Sequence, residues 1–417
     1  MLRHLATSLI AAAALTLCLP GTAQPTGVPA QGTPSPKQTP KQAGAQKAPG
    51  SKGAAHATER RKATPKQAAA PQNKGRPVAK KVAASAAERR SGGARQGIPY
   101  SGSEEAMRFA EEVAERRGLD PAWTRRAIGE ARQLSVVQRL MQPAAPGTRK
   151  NWAVYRSRFI DPVRIDAGVR FWQEHRATLE RAEREWGVPA DIIVGIIGVE
   201  TLYGRHMGDF RVIDALTTLA FDHPPQHPRA AERAAWFRSE LEQFLSTQHR
   251  RGADPLLPLG SFAGAMGLPQ FMPSSWVKWA VDFDGDGTVD LRNSPADAIG
   301  SVASYFKGHG WQTGMPTHYP VRFDPERLQL DALLAPDILP TFPVARFTAQ
   351  GALLEGAALE HTGPLALVEL QNGEAPPSFV AGTENFYVIT RYNQSSYYAM
   401  AVIELGAAVA QQMRLQP

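Results

Sequence analysis

One glutamate in this chain stands where a carboxylate would be hard to form. Glu200 closes the run from Ile192 to Val199, in which no other side chain can ionise. A carboxyl group projecting from a buried apolar helix loses the water that would stabilise its charge, so its pKa rises. A carboxylic acid still protonated near neutral pH is what protonation of a glycosidic oxygen requires. The plainer reading is a glutamate that has reached the surface at a helix end, or that bonds Thr201 or a nearby backbone group. Structural carboxylates are often perturbed too, and spacing alone leaves both readings open.

Two further segments carry chemistry. From Ser261 to Ser274 the chain holds Gly264, Gly267, Pro269 and Pro273, which specify a loop that approaches a neighbour closely. Within it, Gln270 offers donors and acceptors for an acetamido or hydroxyl group; taken alone, the segment reads equally well as a packing loop. Next, Asp282, Asp284, Asp286 and Asp290 fall at relative positions 1, 3, 5 and 9, with Gly287 at 6, matching the EF-hand calcium loop. The usual glutamate at position 12 is replaced by Asn293, and Asp297, at position 16, is the candidate closing ligand of a longer loop. Several hard oxygens on a flexible loop favour Ca2+ over Mg2+. A merely solvated acidic turn would leave four alternating acids repelling one another. His223 and His227 flank Pro224 and Pro225; with no cysteine and no HExxH helix beside them, they read as a surface insertion and not as a zinc site.

These segments need elements to hold them. Ser103, the acids after it and Gly118 predict a capped helix over 103–118. A second helix begins near Asp120 and Pro121, and a third, longer pattern covers 163–186. The run from Pro189 to Thr201 is apolar nearly all round, which predicts a buried helix. Further helices fit 230–248, 274–280, 296–310 and 397–414. Between Tyr319 and Tyr392 the texture changes to short β-branched and aromatic runs, 343–347, 365–370 and 386–392, which predict a small antiparallel sheet among helices. The fold class is therefore mainly α with a small β-rich part at about 317–392.

The first 97 residues are of another kind. Arg3 and His4 precede an apolar run from Leu9 to Leu19, and Gly21, Thr22 and Ala23 follow. That is the outline of a secretory signal peptide over 1–23, and it places the mature chain in the periplasm. No later segment approaches the length of a membrane span. Cys18, the single cysteine, gives the alternative of an outer-membrane lipoprotein. Leu17 occupies the position before it, where a small residue is normal, which favours cleavage after Ala23. Residues 24–97 hold Pro, Ala, Lys, Gln and Gly with almost no large apolar side chain, the composition of a disordered linker. This stretch carries +13 and the leader +1, so a total of +8 leaves −6 for the catalytic domain expected over 98–417. The basic balance belongs to the linker, which excludes a nucleic-acid-binding globular domain. The linker reads as a spacer, with a weak attraction to membrane or wall polyanions as the sharper alternative. Nothing in the sequence demands more than a monomer.

With these segments in place, residues from roughly Glu104 to Ala410 resemble the lytic murein transglycosylase B family. The resemblance rests on Ile196 to Thr201 with Tyr203, Gly204 and Arg205, and on Gly260 to Gly267 with Gln270 to Ser275. The acidic loop, Ile299 to Lys307 with His309, Gly310 and Trp311, and Asn385 to Asn393 complete it. It implies a lysozyme-like α+β fold: a helical core with the catalytic glutamate helix, an EF-hand-like loop and a small antiparallel insertion. By position, Glu200 is then the catalytic acid/base. Ser261 and Gln270 hold the sugar at the cleavage point, while Tyr155, Tyr305, Tyr392, Asn393 and Tyr398 wall the saccharide groove. Aromatic walls suit sugars, whose faces are apolar and whose rims are polar. Asp282, Asp284, Asp286, Thr288 through its carbonyl, Asp290 and Asp297 would hold a structural Ca2+. Related sequences carry paired arginines shortly after the catalytic helix to meet peptide stems. Here an insertion at 224–228 stands there, and Arg233 alone falls near the place.

The resemblance implies cleavage of the β-1,4 bond between N-acetylmuramic acid and N-acetylglucosamine of peptidoglycan glycan strands. Glycosidases ordinarily need two carboxylates; this family forms a 1,6-anhydromuramyl product with one. A hydrolytic muramidase is the rival within the class, and would draw its second carboxylate from Asp209 or Asp214. The rival outside it is a catalytically silent, calcium-stabilised wall-binding protein, against which Glu200 and Gln270 argue.

Overall fold

The computed structural model describes residues 97–145 and 147–415. The leader, Cys18 and nearly all of the basic linker lie outside the described residues.

Helices begin where the sequence supplies caps. Ser103 Oγ accepts from the amide of Ala106 at 3.3 Å at the head of Glu104–Arg117, and Gly118 ends that helix in the left-handed region. Asp120 caps Pro121–Gly129 and Asp161 caps Pro162–Glu174, each with proline in the first turn. The expected long helix over 163–186 is two, Pro162–Glu174 and Arg176–Trp186, broken at His175. The helix Val212–Phe221, which the sequence reading did not anticipate, is almost wholly buried. Its uniform apolar and threonine texture offers no amphipathic stripe.

Two of the three expected strands are helices. Residues 343–347 lie in or beside Val344–Ala349, and 386–392 lie within Glu384–Asn393, where Thr383 Oγ1 caps the amide of Asn385 at 3.2 Å. The third expectation holds, as Ala366–Asn372 pairs antiparallel with Ala375–Gly382. That second strand went unread because Pro376 and Pro377 mark it as a non-strand. They sit beside the register shift between Leu370 and Asn372, beyond the pairing with His318–Pro320. The sheet order is His318–Pro320, Ala375–Gly382, Ala366–Asn372.

Three apolar clusters organise the chain. One joins Glu104–Arg117, Pro121–Gly129, Val212–Phe221 and Ala230–Arg250. A second is centred on Ala190–Thr201 and Ser396–Leu415, and a third fills the β-rich part. The segment 261–272 straddles the first two: Phe262 and Met266 pack into one, Leu268 and Phe271 into the other. The central helices meet backbone to backbone. A Cβ on Gly195 would lie 2.3 Å from the Val402 carbonyl oxygen, and one on Gly406 would lie 2.2 Å from that of Asp191. Only glycine permits that approach, which brings the first turn of Ser396–Leu415 against the last turn of Ala190–Thr201.

Candidate active site

Glu200 is partly exposed, although the ten buried residues of its helix leave it almost no polar company. Burial pushes its pKa up to about 7, against the lowering influence of a hydrogen bond from Tyr398. That bond, Tyr398 Oη to Glu200 Oε1, is 2.6 Å long. One carboxyl oxygen is thereby held as an acceptor, which leaves Oε2 to carry the proton. The expected alternatives, a bond to Thr201 or to a local backbone group, are not made.

Thr201 instead ties the helix end to the glycine-rich loop. Its hydroxyl lies 3.2 Å from the Ile197 carbonyl and 3.0 Å from that of Leu268, and it accepts from Gly204 N at 3.0 Å. Leu202, Tyr203 and Gly204 then run through the left-handed region in succession, an abrupt stop that keeps Glu200 in the final turn. Arg164, which the sequence reading passed over, donates from Nε to the Gly198 carbonyl at 3.1 Å. A cation there suits the carbonyl end of a helix.

Within the loop, Ser261 Oγ accepts from the amides of Ala263 and Ala265 at 3.2 and 3.1 Å. The expected sugar-holding hydroxyl is thus also the organiser of its own turn. Gln270 has φ near +50°, and its amide nitrogen donates to Gly267 O at 2.8 Å and Met207 O at 3.4 Å, while its side-chain oxygen has no hydrogen-bond partner among the described residues. The buried Glu240 accepts from Ser274 N at 2.9 Å and Ser274 Oγ at 2.6 Å, anchoring the loop's far end to Ala230–Arg250. One of three glutamates in a surface-patterned helix, it gave no sign of this in the sequence.

The tyrosines converge but divide the work. Tyr392 donates to Pro269 O at 2.6 Å and Tyr305 to Arg391 O at 2.8 Å; their rings lie 4.8 Å apart. Tyr392 stacks with Tyr398 at 6.1 Å and 14°. Tyr398 itself is 1% exposed, so it is the support of Glu200 and not an open groove wall. Tyr155 packs at 5.1 Å from Phe159 and 5.8 Å from Tyr397, and its buried hydroxyl has no partner. Burial, then the charge of Glu200, raises its pKa, which places it within electrostatic reach of the acid. Asn393 ends its helix partly exposed.

One expectation fails, and a rival loses a candidate. Arg233 is 4% exposed, with Nε 3.3 Å from His223 Nε2 and Nη2 3.3 Å from Met141 Sδ. It is sealed into the cluster of Ala230–Arg250, against His223, Met141 and the ring of Phe237, and is closed to solvent. His223 and His227 are correspondingly half-buried, their rings 5.4 Å apart, and burial drives His223 down to about 4. Asp214 is no partner for Glu200 either. It is fully buried and bound by Arg211 at 2.7 Å through both oxygens, and by the Arg132 amide at 2.9 Å. Asp209 is exposed.

In the acidic loop, carboxylate oxygens of Asp282, Asp284 and Asp286 lie within 4.8 Å of one another. Asp282 accepts from the amides of Gly285 and Gly287 at 2.8 Å, and Ser294 Oγ donates to Asp284 at 2.7 Å, holding that carboxyl below the usual range. Only neutral donors meet the three, so this donor set fits a hard divalent cation. Asp290 and Asp297 stand outside the trio. Asp297, wholly buried, accepts from Phe283 N and Asp290 N at 2.7 Å each and acts as the loop's inner strut. Asp290 accepts from Arg292 N, Asn293 N and Asn293 Nδ2 at 2.9 Å. Leu268 joins this loop to the acid: its amide donates to Leu291 O at 2.8 Å while its carbonyl meets Thr201.

Residues 101–407 match the Transglycosylase SLT domain family. The chain belongs to that family. It is 40% identical over 329 residues to membrane-bound lytic murein transglycosylase B of Escherichia coli (strain K12), covering 75% of this chain and 85% of the relative. The soluble lytic transglycosylase SltB1 from Pseudomonas aeruginosa superposes with TM-score 0.66 at 40% identity, over 74% of this chain and 99% of that one. The Escherichia coli lytic transglycosylase Slt35 in complex with calcium gives 0.64 at 40% identity, over 77% and 96%. This family member is therefore an enzyme, a lytic transglycosylase with a lysozyme-like, mainly helical fold. Its relatives are described as membrane-bound in one case and soluble in another; among the described residues no helix is long and apolar enough to cross a membrane.

Proposed function

We propose that the chain cleaves the β-1,4 bond between N-acetylmuramic acid and N-acetylglucosamine in peptidoglycan, with Glu200 as its sole acid and base. The observation that carries this reading is the Glu200 carboxyl, raised to about 7 and fixed through Oε1 by Tyr398 at 2.6 Å. Murein is named as the substrate of the 40% identical relative. Oε2 donates its proton to the leaving glycosidic oxygen. The substrate's N-acetyl oxygen supports the cation at C1. Glu200, now a carboxylate, takes the proton of the muramyl C6 hydroxyl as that oxygen closes on C1. The proton given in the first step returns in the second, no water is consumed, and the product is a 1,6-anhydro sugar.

Gln270 and Ser261 orient the acetamido and hydroxyl groups, and Tyr155, with its free hydroxyl, Tyr305, Tyr392 and Asn393 line the glycan's path. Ca2+ is the cation that suits Asp282, Asp284 and Asp286, with the Thr288 carbonyl, Asp290 and Asp297 within the same loop; the Slt35 complex with calcium supports it. Bound there it neutralises the loop, and the loop holds Leu268 and so the turn beside Glu200. The leader over 1–23 takes the enzyme to the periplasm.

Mass spectrometry of muropeptides released from purified peptidoglycan tests the reaction. Anhydromuramyl products with the parent enzyme and none with Glu200→Gln are expected. Products heavier by one water would make the enzyme a hydrolase, and no release by the parent enzyme would make it a binding protein.

A further inference from the structure

Two cavities lie side by side on the Pro121–Gly129 helix, sharing Arg126 and Glu130 in their walls. None of the residues assigned above to Glu200 or the groove lines either one. The smaller, about 420 Å³, has the half-buried ring of Trp123 beside Asp254, Glu130 and Arg126. Trp123 is fixed edge-on against His249 at 5.0 Å, and its indole N–H meets no acceptor among the described residues. An aromatic face rimmed by charged hydrogen-bonding groups is the chemistry that recognises a sugar ring.

The larger cavity, about 740 Å³, sets Arg125, Arg126, Arg132 and Arg211 against one carboxylate, Glu130. These guanidinium groups are not equivalent. Arg211 is neutralised by Asp214, and Arg125 pairs at the surface with Glu111 at 2.6 Å, an exposed contact of small strength. Arg132 donates from Nη1 to Gly97 O at 2.9 Å. The Arg126 guanidinium makes no ion pair or hydrogen bond among the described residues, though it stands between the two cavities. The remainder of the chain after residue 97 is net acidic, so this concentration of arginine is local. The basic stretch that precedes Gly97 joins the chain at this same wall.

The geometry points to a second, non-catalytic site that takes a sugar ring on Trp123 and the carboxylates attached to it on Arg126 and Arg132. Its ligand class is an acidic glycopeptide. Resting on the proposed function, the source is an uncleaved peptidoglycan segment, whose glycan carries acidic peptide stems. The site would hold the enzyme on the wall while Glu200 works on another stretch of strand.

The test uses the full chain carrying Glu200→Gln, so that cleavage cannot confuse binding. Three soluble probes are titrated by calorimetry: chitotetraose, a free acidic stem peptide, and a disaccharide carrying that stem. The same probes are then titrated into Glu200→Gln chains with Arg126→Glu or Trp123→Ala added. A two-site isotherm is expected for the disaccharide-peptide. One site should weaken at least tenfold in each added variant and with rising salt, and bind chitotetraose at least tenfold less tightly. Trp123 is half-buried, but Arg126 is exposed and unpaired, so Arg126→Glu keeps the test open if Trp123→Ala misfolds. Unchanged binding by a folded Arg126→Glu chain overturns the site, and equal affinity for chitotetraose overturns its acidic ligand. In the parent background Arg126→Glu should leave cleavage of a short soluble glycan unchanged. Loss of that cleavage as well would show damage to the groove and overturn a separate site. Anhydromuramyl release by the parent enzyme is read independently, so the catalytic reading and the second site can fail separately.

Discussion

Glu200 and the 282–286 loop use the same functional group in opposite states. Glu200 ends an apolar helix, desolvated, and its proton is retained up to about pH 7. Asp282, Asp284 and Asp286 are exposed and ringed by amide and hydroxyl donors, and the Ser294 hydroxyl holds the Asp284 carboxyl below the usual range. Solvation and the sign of the neighbours, not residue identity, decide whether a carboxyl group moves a proton or collects a cation. Asp214 supplies the third case: it is buried like an acid catalyst, yet Arg211 meets both of its oxygens at 2.7 Å. Burial alone therefore does not mark the acid, and Glu240, buried with only Ser274 as donor, shows that the absence of a cation does not mark it either; what sets Glu200 apart is a partly exposed carboxyl on an otherwise apolar helix.

The strongest way to break this contrast is Glu200→Gln. Turnover should fall by about 10³-fold or more, since only the transferable proton is lost; a pure preparation retaining a tenth of the activity would end the assignment. The substitution should also change how stability depends on pH. The folded pKa of about 7 lies above the usual 4.5, so between those values the unfolded chain holds fewer protons. Stability contributed by neutral Glu200 is full at low pH and is lost as pH rises through that window. Urea titrations at pH 5 and 7.5 should show this decline in the parent enzyme and a smaller one in Glu200→Gln.

Asp214→Asn probes the paired carboxylate. Leaving Arg211 without its counter-ion should destabilise the fold by about 3 kcal/mol, read as a lower urea midpoint. Catalysis per folded molecule should be retained; selective loss of turnover would revive Asp214 as a second catalytic carboxylate. Tyr398→Phe sharpens the reading of the acid. The bond it removes lowers the Glu200 pKa, so the alkaline limb of the rate profile should move upward, while turnover falls by about tenfold because a hydrogen bond to a carboxyl group is lost. An unmoved limb would place Tyr398 outside the acid's control. The remaining effect belongs to the loop and is read in stability, not in turnover. With calcium at 100 times its Kd, chelation should remove about 2.7 kcal/mol of stability and lower Tm by a few degrees. No shift on adding or removing calcium would leave the trio an unfilled acidic turn.

The buried helix that ends in Glu200 was legible because a single ionisable residue ending an apolar run is a local pattern, and the acidic loop because its carboxylates are spaced along nine residues. The caps at Ser103 and Asp120 were legible for the same reason. The β-rich part was misread where tertiary packing overrode aromatic and β-branched texture: Asn385 donates to Gln312 O and Met315 O at 2.8 Å each, which fixes a helix at 384–393 against the preceding loop. The role of Arg233 was misplaced because its position after the Glu200 helix says nothing about which side chains of Ala230–Arg250 pack inward.

By itself the sequence determined the apolar setting of Glu200, the alternation of acids at 282–290, the glycines that allow close approach, and the charge division at residue 97. The tertiary structure alone decided that Tyr398, 198 residues away, donates to Glu200, and that Asp214, only 14 residues away, belongs to an arginine. It also decided that Leu268 stands between the acid and the acidic loop. The physical reason is the same in each case. Hydrogen bonding and desolvation act over a few ångströms, and which groups come that near is set by how the glycine-lined helices and the 261–272 loop pack, a property no stretch of sequence contains on its own.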